Sequence, residues 1–229
     1  MSLIRIERLS KTYITGKIKT PALREINLTI EEGEFICIAG PSGSGKTTLL
    51  NIIGTLDTPT SGNVFYRDKN LFSFNSSKLA EFRLKKVGFI FQAYNLIPTL
   101  TVLENTEYVM LLQGVKKDIR QEKAKKILKE LGLENLMDKR PSQLSGGEQQ
   151  RVTVARAIVS DPEIVLADEP TANLDSQNSL HLIKLMRKLN IEKKITFVFS
   201  THDELVMREA DKVYFLRDGK IEEEKKRLS

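Results

Sequence analysis

The stretch Gly40-Pro41-Ser42-Gly43-Ser44-Gly45-Lys46-Thr47 stands between the compact apolar run Phe35–Ala39 and the run Thr48-Leu49-Leu50-Asn51-Ile52-Ile53, which is helical in character and ends at Gly54. Its pattern, G-x-x-x-x-G-K-[ST], is that of a phosphate-binding loop, and it occupies the required context, after a strand and at the opening of a helix. The glycines let backbone N–H groups wrap an anion, while the helix beginning at Lys46 and Thr47 aims its positive end at the same point. Lys46 adds a full charge for the outer phosphates, and the Thr47 hydroxyl can ligate Mg2+. The plain alternative is a glycine-rich turn with an incidental lysine; the flanking strand and helix favour a nucleotide, with Gly40 to Thr47 and the adjoining Thr48 as its cradle.

Outward from this loop, short apolar segments at Ile4–Ile6 and Leu23–Ile30 and a turn at Glu31–Glu34 lead into Phe35–Ala39. Asn63–Tyr66 and Val87–Phe91 read as further strands, Asp118–Leu133 as a charged helix with apolar residues at helical spacing. Ile164–Ala167, Ile195–Phe199 and Val213–Leu216 return as short apolar strands separated by helical patterns such as Ser179–Leu189. This alternation predicts an α/β fold with a parallel sheet flanked by helices. The tail from Glu222, EEEKKRLS, has mixed charge and is expected to be a frayed, solvated end.

Two further constellations carry chemistry. In LSGGEQQ, Leu144 to Gln150, Ser145 stands three residues before Glu148, the spacing of a capping box. Capping leaves unexplained the two consecutive glycines of the first turn, which lower helix propensity by about 1 kcal/mol each. Bare N–H groups at a helix start form an anion site, so Ser145, Gly146 and Gly147 resemble a second phosphate grip. One chain with two grips suggests that one serves another subunit's nucleotide. In Ile164-Val165-Leu166-Ala167-Asp168-Glu169 an apolar strand ends in two acids, a costly arrangement in a buried sheet without a cation. Asp168 is placed to hold Mg2+ and Glu169 to orient or deprotonate an attacking water. Two ordinary acids in a solvated turn are the alternative.

The composition limits the classes. The chain has 229 residues, of which 40% are apolar and 29% charged, with only 7 Pro and 13 Gly, so collagenous, mucin-like and disordered classes are excluded. Its single cysteine, Cys37, rules out an intramolecular disulfide framework and suits a reducing compartment. Val87 to Leu103 carries no charge, yet Gly88, Gln92, Asn95 and Pro98 speak against a membrane span. Arg5, Glu7, Arg8 and Lys11 stand where a secretory signal needs an apolar core, so the mature chain is expected to start near Met1. The net charge of +6 fits an anionic ligand, a membrane face or nucleic acid without choosing among them.

The order of GPSGSGKT, a glutamine after a strand, LSGGEQQ, LADEP and a histidine after a strand resembles that of an ABC-transporter ATPase over essentially the whole chain. The resemblance implies a P-loop NTPase core with an antiparallel β subdomain from the first third and a helical insertion at about residues 93–160, in a single domain spanning 1–229. It implies that Gln92 senses Mg2+ and the γ-phosphate, that Asn173-Leu174-Asp175 reaches across a dimer with Asp175 near the nucleotide, and that His202 contacts the γ-phosphate. Tyr13 falls where the family stacks an aromatic on adenine; by the residues alone it could equally be a half-buried strand aromatic, Gln92 a strand end and His202 a polar cap. Catalysis would then rest on Glu169, His202, Lys46 and Gln92, with Thr47, Gln92 and Asp168 around Mg2+. The segments GFIFQ (88–92), YNLIPTLTVLENT (94–106) and ADEPTANLD (167–175) are similar to the ATPase subunits of lipoprotein-releasing, macrolide-export and antimicrobial-peptide-export systems. That family more often has glycine at Ala172 and serine at Thr47; threonine keeps the hydroxyl.

The implied function is ATP hydrolysis that powers a separate membrane permease. Two copies would face head to tail, each ATP lying between Gly40–Thr47 of one chain and Ser145–Gly147 of the other, on the cytoplasmic face of the membrane. No nucleic acid is expected as a partner, because no heptad run fills the chain between Thr47 and Ser145, where a chromosome-maintenance ATPase needs a coiled coil. A single-cassette ATPase of a soluble assembly system is the remaining alternative. Part of the apolar group Tyr94, Leu96, Ile97, Leu100 and Val102 is expected to stay exposed as a docking surface.

Overall fold

The computed structural model describes residues 2–226. Its central strand, β3 (Phe35–Ala39), is buried along its whole length, as a parallel strand covered on both faces must be. Ile36 and Ile38 point to one side, into a cluster with Leu49, Leu50, Ile52 and Ile53 of α1 (Lys46–Ile53). Phe35 points to the other side and packs on Phe199, with ring centroids 4.5 Å apart. Cys37 sits on the same strand, and burial above all pushes its thiol pKa up to about 12, which leaves it a small apolar side chain rather than a nucleophile.

Two sheets enclose α1. A long hairpin, β1 (Ser2–Thr15) and β2 (Ile18–Glu31), with β4 (Ser61–Tyr66) and β5 (Lys69–Asn70), forms an antiparallel sheet in the order β2-β1-β4-β5. The second sheet runs β10-β9-β3-β8-β7-β6, from β6 (Val87–Ile90), β7 (Ile164–Asp168), β8 (Thr196–Thr201), β9 (Lys212–Arg217) and β10 (Lys220–Lys226). All its pairings are parallel except that of β9 with β10. Before β6 comes α2 (Ser76–Lys86). Between β6 and β7 the chain forms α3 (Val102–Leu112), α4 (Lys117–Glu130) and α5 (Gly146–Ile158), and α6 (Ser176–Lys193) and α7 (Glu204–Glu209) precede β8 and β9.

One expectation is corrected, for the tail residues that lie among those described; residues 227–229 lie outside them. Residues 222–226 are not a frayed end: they lie in β10, laddered to β9. Their charges are no obstacle, because an edge strand needs one partner only and charged side chains protect its open side. Of the apolar group expected to be exposed only in part, Val102 belongs to the core, fully buried as the first residue of α3 behind a Thr101–Glu104 capping box. Tyr94, Leu96, Ile97 and Leu100 remain half-buried.

Glu163, one residue before β7, fastens the two sheets together. It accepts from the Tyr66 hydroxyl, from Arg67 Nη2 at 2.9 Å and from Lys86 Nζ at 2.5 Å. Burial alone would raise its pKa, but these three partners outweigh it and bring the carboxyl down to about 2 from 4.5. A depressed carboxylate pKa stabilises the fold above the unfolded value and loses that contribution as pH falls toward the folded one. Glu163→Gln is therefore expected to cost on the order of 1–2 kcal/mol at neutral pH, discounted for partial exposure. Urea midpoints at several pH values check this: the gap between variant and wild type should shrink between about pH 4.5 and pH 2.

Candidate functional site

Strand register gathers the motifs at one edge. Asp168 lies opposite Ser200, and Ala39 opposite Thr201, so the loop after β3, the acids ending β7 and His202 after β8 all leave the carboxyl edge of the parallel sheet, where such sheets bind ligands. A cleft of about 340 Å3 opens there, lined by Ser42, Gly43 and the Gly45–Thr48 turn on one side and by Gln92, Glu169 and His202 on the other.

The loop conformation needs glycine. Gly45 has φ 105°, and a Cβ there would stand 2.5 Å from the Ala22 carbonyl oxygen of β2. Lys46 folds back so that its ammonium donates to the carbonyls of Gly40 at 2.8 Å and Pro41 at 3.1 Å. Its Nζ is 3.6 Å from Glu169 Oε1, and its side chain is 7% exposed. The Ser44 hydroxyl, buried in the same loop, has no hydrogen-bond partner. A nearly desolvated ammonium, an unpaired hydroxyl and an N–H-lined turn fit a polyphosphate.

Hard oxygen donors lie beside the loop. Thr47 Oγ1 donates to the Asp168 carboxylate, 2.9 Å from Oδ2 and 3.1 Å from Oδ1, and the Ser200 hydroxyl donates to Oδ1 of the same group. A hydroxyl and a carboxylate next to a phosphate cradle are donors suited to Mg2+, which keeps several waters and takes few protein ligands. Glu169 has φ 46°, a left-handed conformation that non-glycine residues seldom adopt. Such strain persists where the surroundings over-determine it. Here the Glu169 N–H donates to Ser200 O at 2.9 Å, and its carboxylate meets Thr201 Oγ1 at 3.3 Å and His202 Nδ1 at 3.1 Å. The result is a carboxylate only 14% exposed beside Lys46, with His202 largely solvated at the cleft mouth.

Other singled-out residues lie outside this cleft. Tyr13, 41% exposed, projects from β1 near the helix that follows the loop, with its hydroxyl 2.7 Å from Asp57 Oδ2 and 3.5 Å from Thr48 Oγ1. Asp175 caps α6, accepting from the Asn178 N–H at 2.9 Å, and that backbone bond is the main cause lowering its pKa. Ser145 caps α5 in a reciprocal box with Glu148. None of Ser145, Gly146 and Gly147 lines the cleft. Instead a Cβ on Gly146 would meet the Tyr94 hydroxyl at 2.9 Å, and Asn173 links this region to the cleft by donating to the Gln92 carbonyl at 3.0 Å. Sequence reasoning missed Ser200 and Thr201, which hold the two acids; the polar pair closing an apolar strand just before His202 was the available signal.

The sequence profile of the ABC transporter family matches residues 23–172. The chain is 48% identical over 221 residues to the ABC transporter ATP-binding protein MJ1508 of Methanocaldococcus jannaschii, covering 96% of this chain and 98% of that relative. To the lipoprotein-releasing system ATP-binding protein LolD of Syntrophus aciditrophicus it is 43% identical over 219 residues, with 96% and 98% covered. The dimeric structure of a post-hydrolysis state of the ATP-binding cassette MJ0796, also of Methanocaldococcus jannaschii and bound to ADP and Pi, matches with a TM-score of 0.92 at 42% identity and covers 99% of both chains.

Proposed function

The chain belongs to the ABC transporter family as an ATP-binding, ATP-hydrolysing cassette, and on that premise we propose that two copies of it enclose two ATP molecules head to tail and drive a membrane permease. Each ATP lies between Gly40–Thr47 of one copy and Ser145–Gly147 of the other. One observation carries this reading: the anion-presenting start of α5 does not line the cleft formed by its own chain's phosphate loop. A second copy, turned about a two-fold axis, supplies the missing wall, an arrangement in which the same surface is used twice. The dimeric structure of MJ0796 supports it by likeness.

Within such a site the Lys46 ammonium exchanges the Gly40 and Pro41 carbonyls for phosphate oxygens. Glu169 accepts a proton from the attacking water and holds that water in line, while His202, hydrogen-bonded to Glu169, steadies the carboxylate and reaches the outer phosphate. Thr47 and Asp168, with Gln92 beside them, hold Mg2+, which supplies charge neutralisation of the phosphates when bound. Tyr13, just outside the cleft with its hydroxyl 3.5 Å from Thr48 Oγ1, would stack on the base.

The permease docks next to Gln92, where Tyr94, Leu96, Ile97 and Leu100 are half-buried and an apolar groove opens. The helices at about 93–160 form the insertion that carries nucleotide occupancy to it, since Gln92 touches both the cleft and, through Asn173, the region of α5. Among the described residues no helix is long and apolar enough to cross a membrane, so the position on the inner membrane face comes through the permease.

Gly146→Trp tests the shared site. An added side chain first meets the far end of Tyr94 rather than backbone, so the fold should accommodate it. ATP affinity of the isolated monomer is expected to stay unchanged while hydrolysis at high protein concentration falls about ten- to a hundredfold, the usual span of a coupling energy. Equilibrium ATP binding and phosphate release measure the two. Loss of monomer affinity would assign Ser145–Gly147 to its own chain's nucleotide.

A further inference from the structure

Although exposed, Tyr13 is held at its hydroxyl, at one ring face and through the neighbouring backbone. The hydroxyl donates to Asp57 Oδ2 at 2.7 Å. Lys11, two residues earlier on β1, sets its ammonium 4.8 Å from the centre of the Tyr13 ring. The intervening Thr12 N–H donates to Thr60 Oγ1 at 3.0 Å, which ties the strand to the segment that carries Asp57. Asp57 is itself fixed: Oδ1 accepts from Lys11 Nζ at 2.6 Å and from the Thr58 N–H at 2.7 Å. Its backbone N–H donates to the Asn51 carbonyl of α1 at 3.2 Å. Burial alone would raise the Asp57 pKa, but the bonds from Lys11, Tyr13 and the Thr58 N–H outweigh it and bring the carboxyl below its ordinary value. Neither Asp57 nor Lys11 has a part in the phosphate chemistry described above.

An exposed side chain loses rotamer freedom when it orders against a ligand, and a ring ordered beforehand avoids that cost. The bond to Asp57 fixes the direction of the Tyr13 ring, and the ammonium of Lys11 lies over one face, which leaves the opposite face for stacking. Because Asp57 is bonded to Asn51, the ring is also tied to α1, the helix whose first residues, Lys46 and Thr47, belong to the phosphate loop. We infer that Asp57 and Lys11 are positioning residues for the base: they hold the Tyr13 ring, before ATP arrives, in the orientation that stacks on adenine with the face turned away from Lys11. This rests on the reading of Tyr13 as the stacking residue and adds what fixes the stack at a set distance from the phosphates.

Calorimetric titration of the full chain with ATP and with inorganic tripolyphosphate separates the base from the phosphates, because tripolyphosphate offers the loop an anion without a base. Asp57→Ala is expected to weaken ATP binding about three- to tenfold, the span for ordering one side chain, and to leave tripolyphosphate binding as in wild type. Lys11→Met, which keeps the stem and removes the ammonium, should fall in the same range. In a Tyr13→Ala background Asp57→Ala is expected to have no further effect on ATP, since Asp57 reaches the base only through the ring. Tyr13→Phe, which keeps the ring and loses the hydroxyl, should match Asp57→Ala and decides the matter if that variant does not fold. A parallel loss of tripolyphosphate binding in Asp57→Ala would make Asp57 a support of α1 and overturn the inference. Losses that add to that of Tyr13→Ala would overturn it as well, as would wild-type ATP binding in Asp57→Ala or Tyr13→Phe; wild-type binding in Lys11→Met would remove Lys11 from it. All these outcomes leave the stacking reading standing as long as Tyr13→Ala binds ATP more weakly than wild type. Undiminished ATP binding in Tyr13→Ala would overturn that reading and the inference together.

Discussion

Glu169→Gln is expected to leave ATP binding intact and to slow hydrolysis by about 10²–10⁴-fold, the usual contribution of a positioned general base. The amide keeps the shape of the side chain and can still meet Thr201 and His202, which lie 3.3 Å and 3.1 Å from the carboxylate. It cannot take a proton from water. The backbone at φ 46° keeps its N–H bond to Ser200 O, which the exchange does not touch, so the turn survives. With hydrolysis slowed, ATP and Mg2+ should accumulate a closed dimer, visible by light scattering after size-exclusion chromatography. A variant that stays monomeric with ATP and hydrolyses it at the normal rate would remove Glu169 from the reaction.

Lys46→Ala acts earlier. The side chain is 7% exposed, and its ammonium meets carbonyls of its own loop and, at 3.6 Å, Glu169. Its removal takes from the loop its one full positive charge, leaving backbone N–H groups as the loop's own contribution to the phosphates. Losing hydrogen bonds to a charged group costs about 3 kcal/mol, or roughly a hundredfold in Kd. Titration with ATP should show that weakening, with circular dichroism unchanged because no other element depends on the side chain. Undiminished affinity would contradict the cradle assignment of Gly40–Thr47.

The two predictions rest on the parts of the site that were legible in the sequence, for a physical reason. A phosphate loop, a capped glycine-rich helix start and an acid pair ending an apolar strand are local patterns, set by residues within ten positions of one another. What brings them together is the register of β3, β7 and β8, and periodicity says nothing of register. Hence Ser200, which holds Asp168 and anchors the Glu169 turn, was passed over as the polar end of a strand. Local signals also failed where burial is sparse. Of α2 only Phe82 is buried, so no apolar stripe announces the helix. The strand at 220–226 was invisible for a related reason: its charged residues are held by the β9 ladder, not by a hydrophobic face. Tyr13, for which the resemblance implies adenine stacking and the residues alone allow a half-buried strand position, is 41% exposed with its hydroxyl 3.5 Å from Thr48 Oγ1.

Mixing two impaired variants tests the shared site most directly. Lys46→Ala lacks the phosphate grip but keeps Ser145–Gly147, whereas Gly146→Trp keeps the phosphate grip and blocks the partner-facing helix start. A mixed dimer then contains one complete site, formed by the Gly40–Thr47 loop of the Gly146→Trp chain and Ser145–Gly147 of the Lys46→Ala chain. Phosphate release from an equimolar mixture is expected to rise well above that of either variant alone and to vary with the mixing ratio. Activity no greater than the sum of the two separate variants at every ratio would contradict a nucleotide held between two copies.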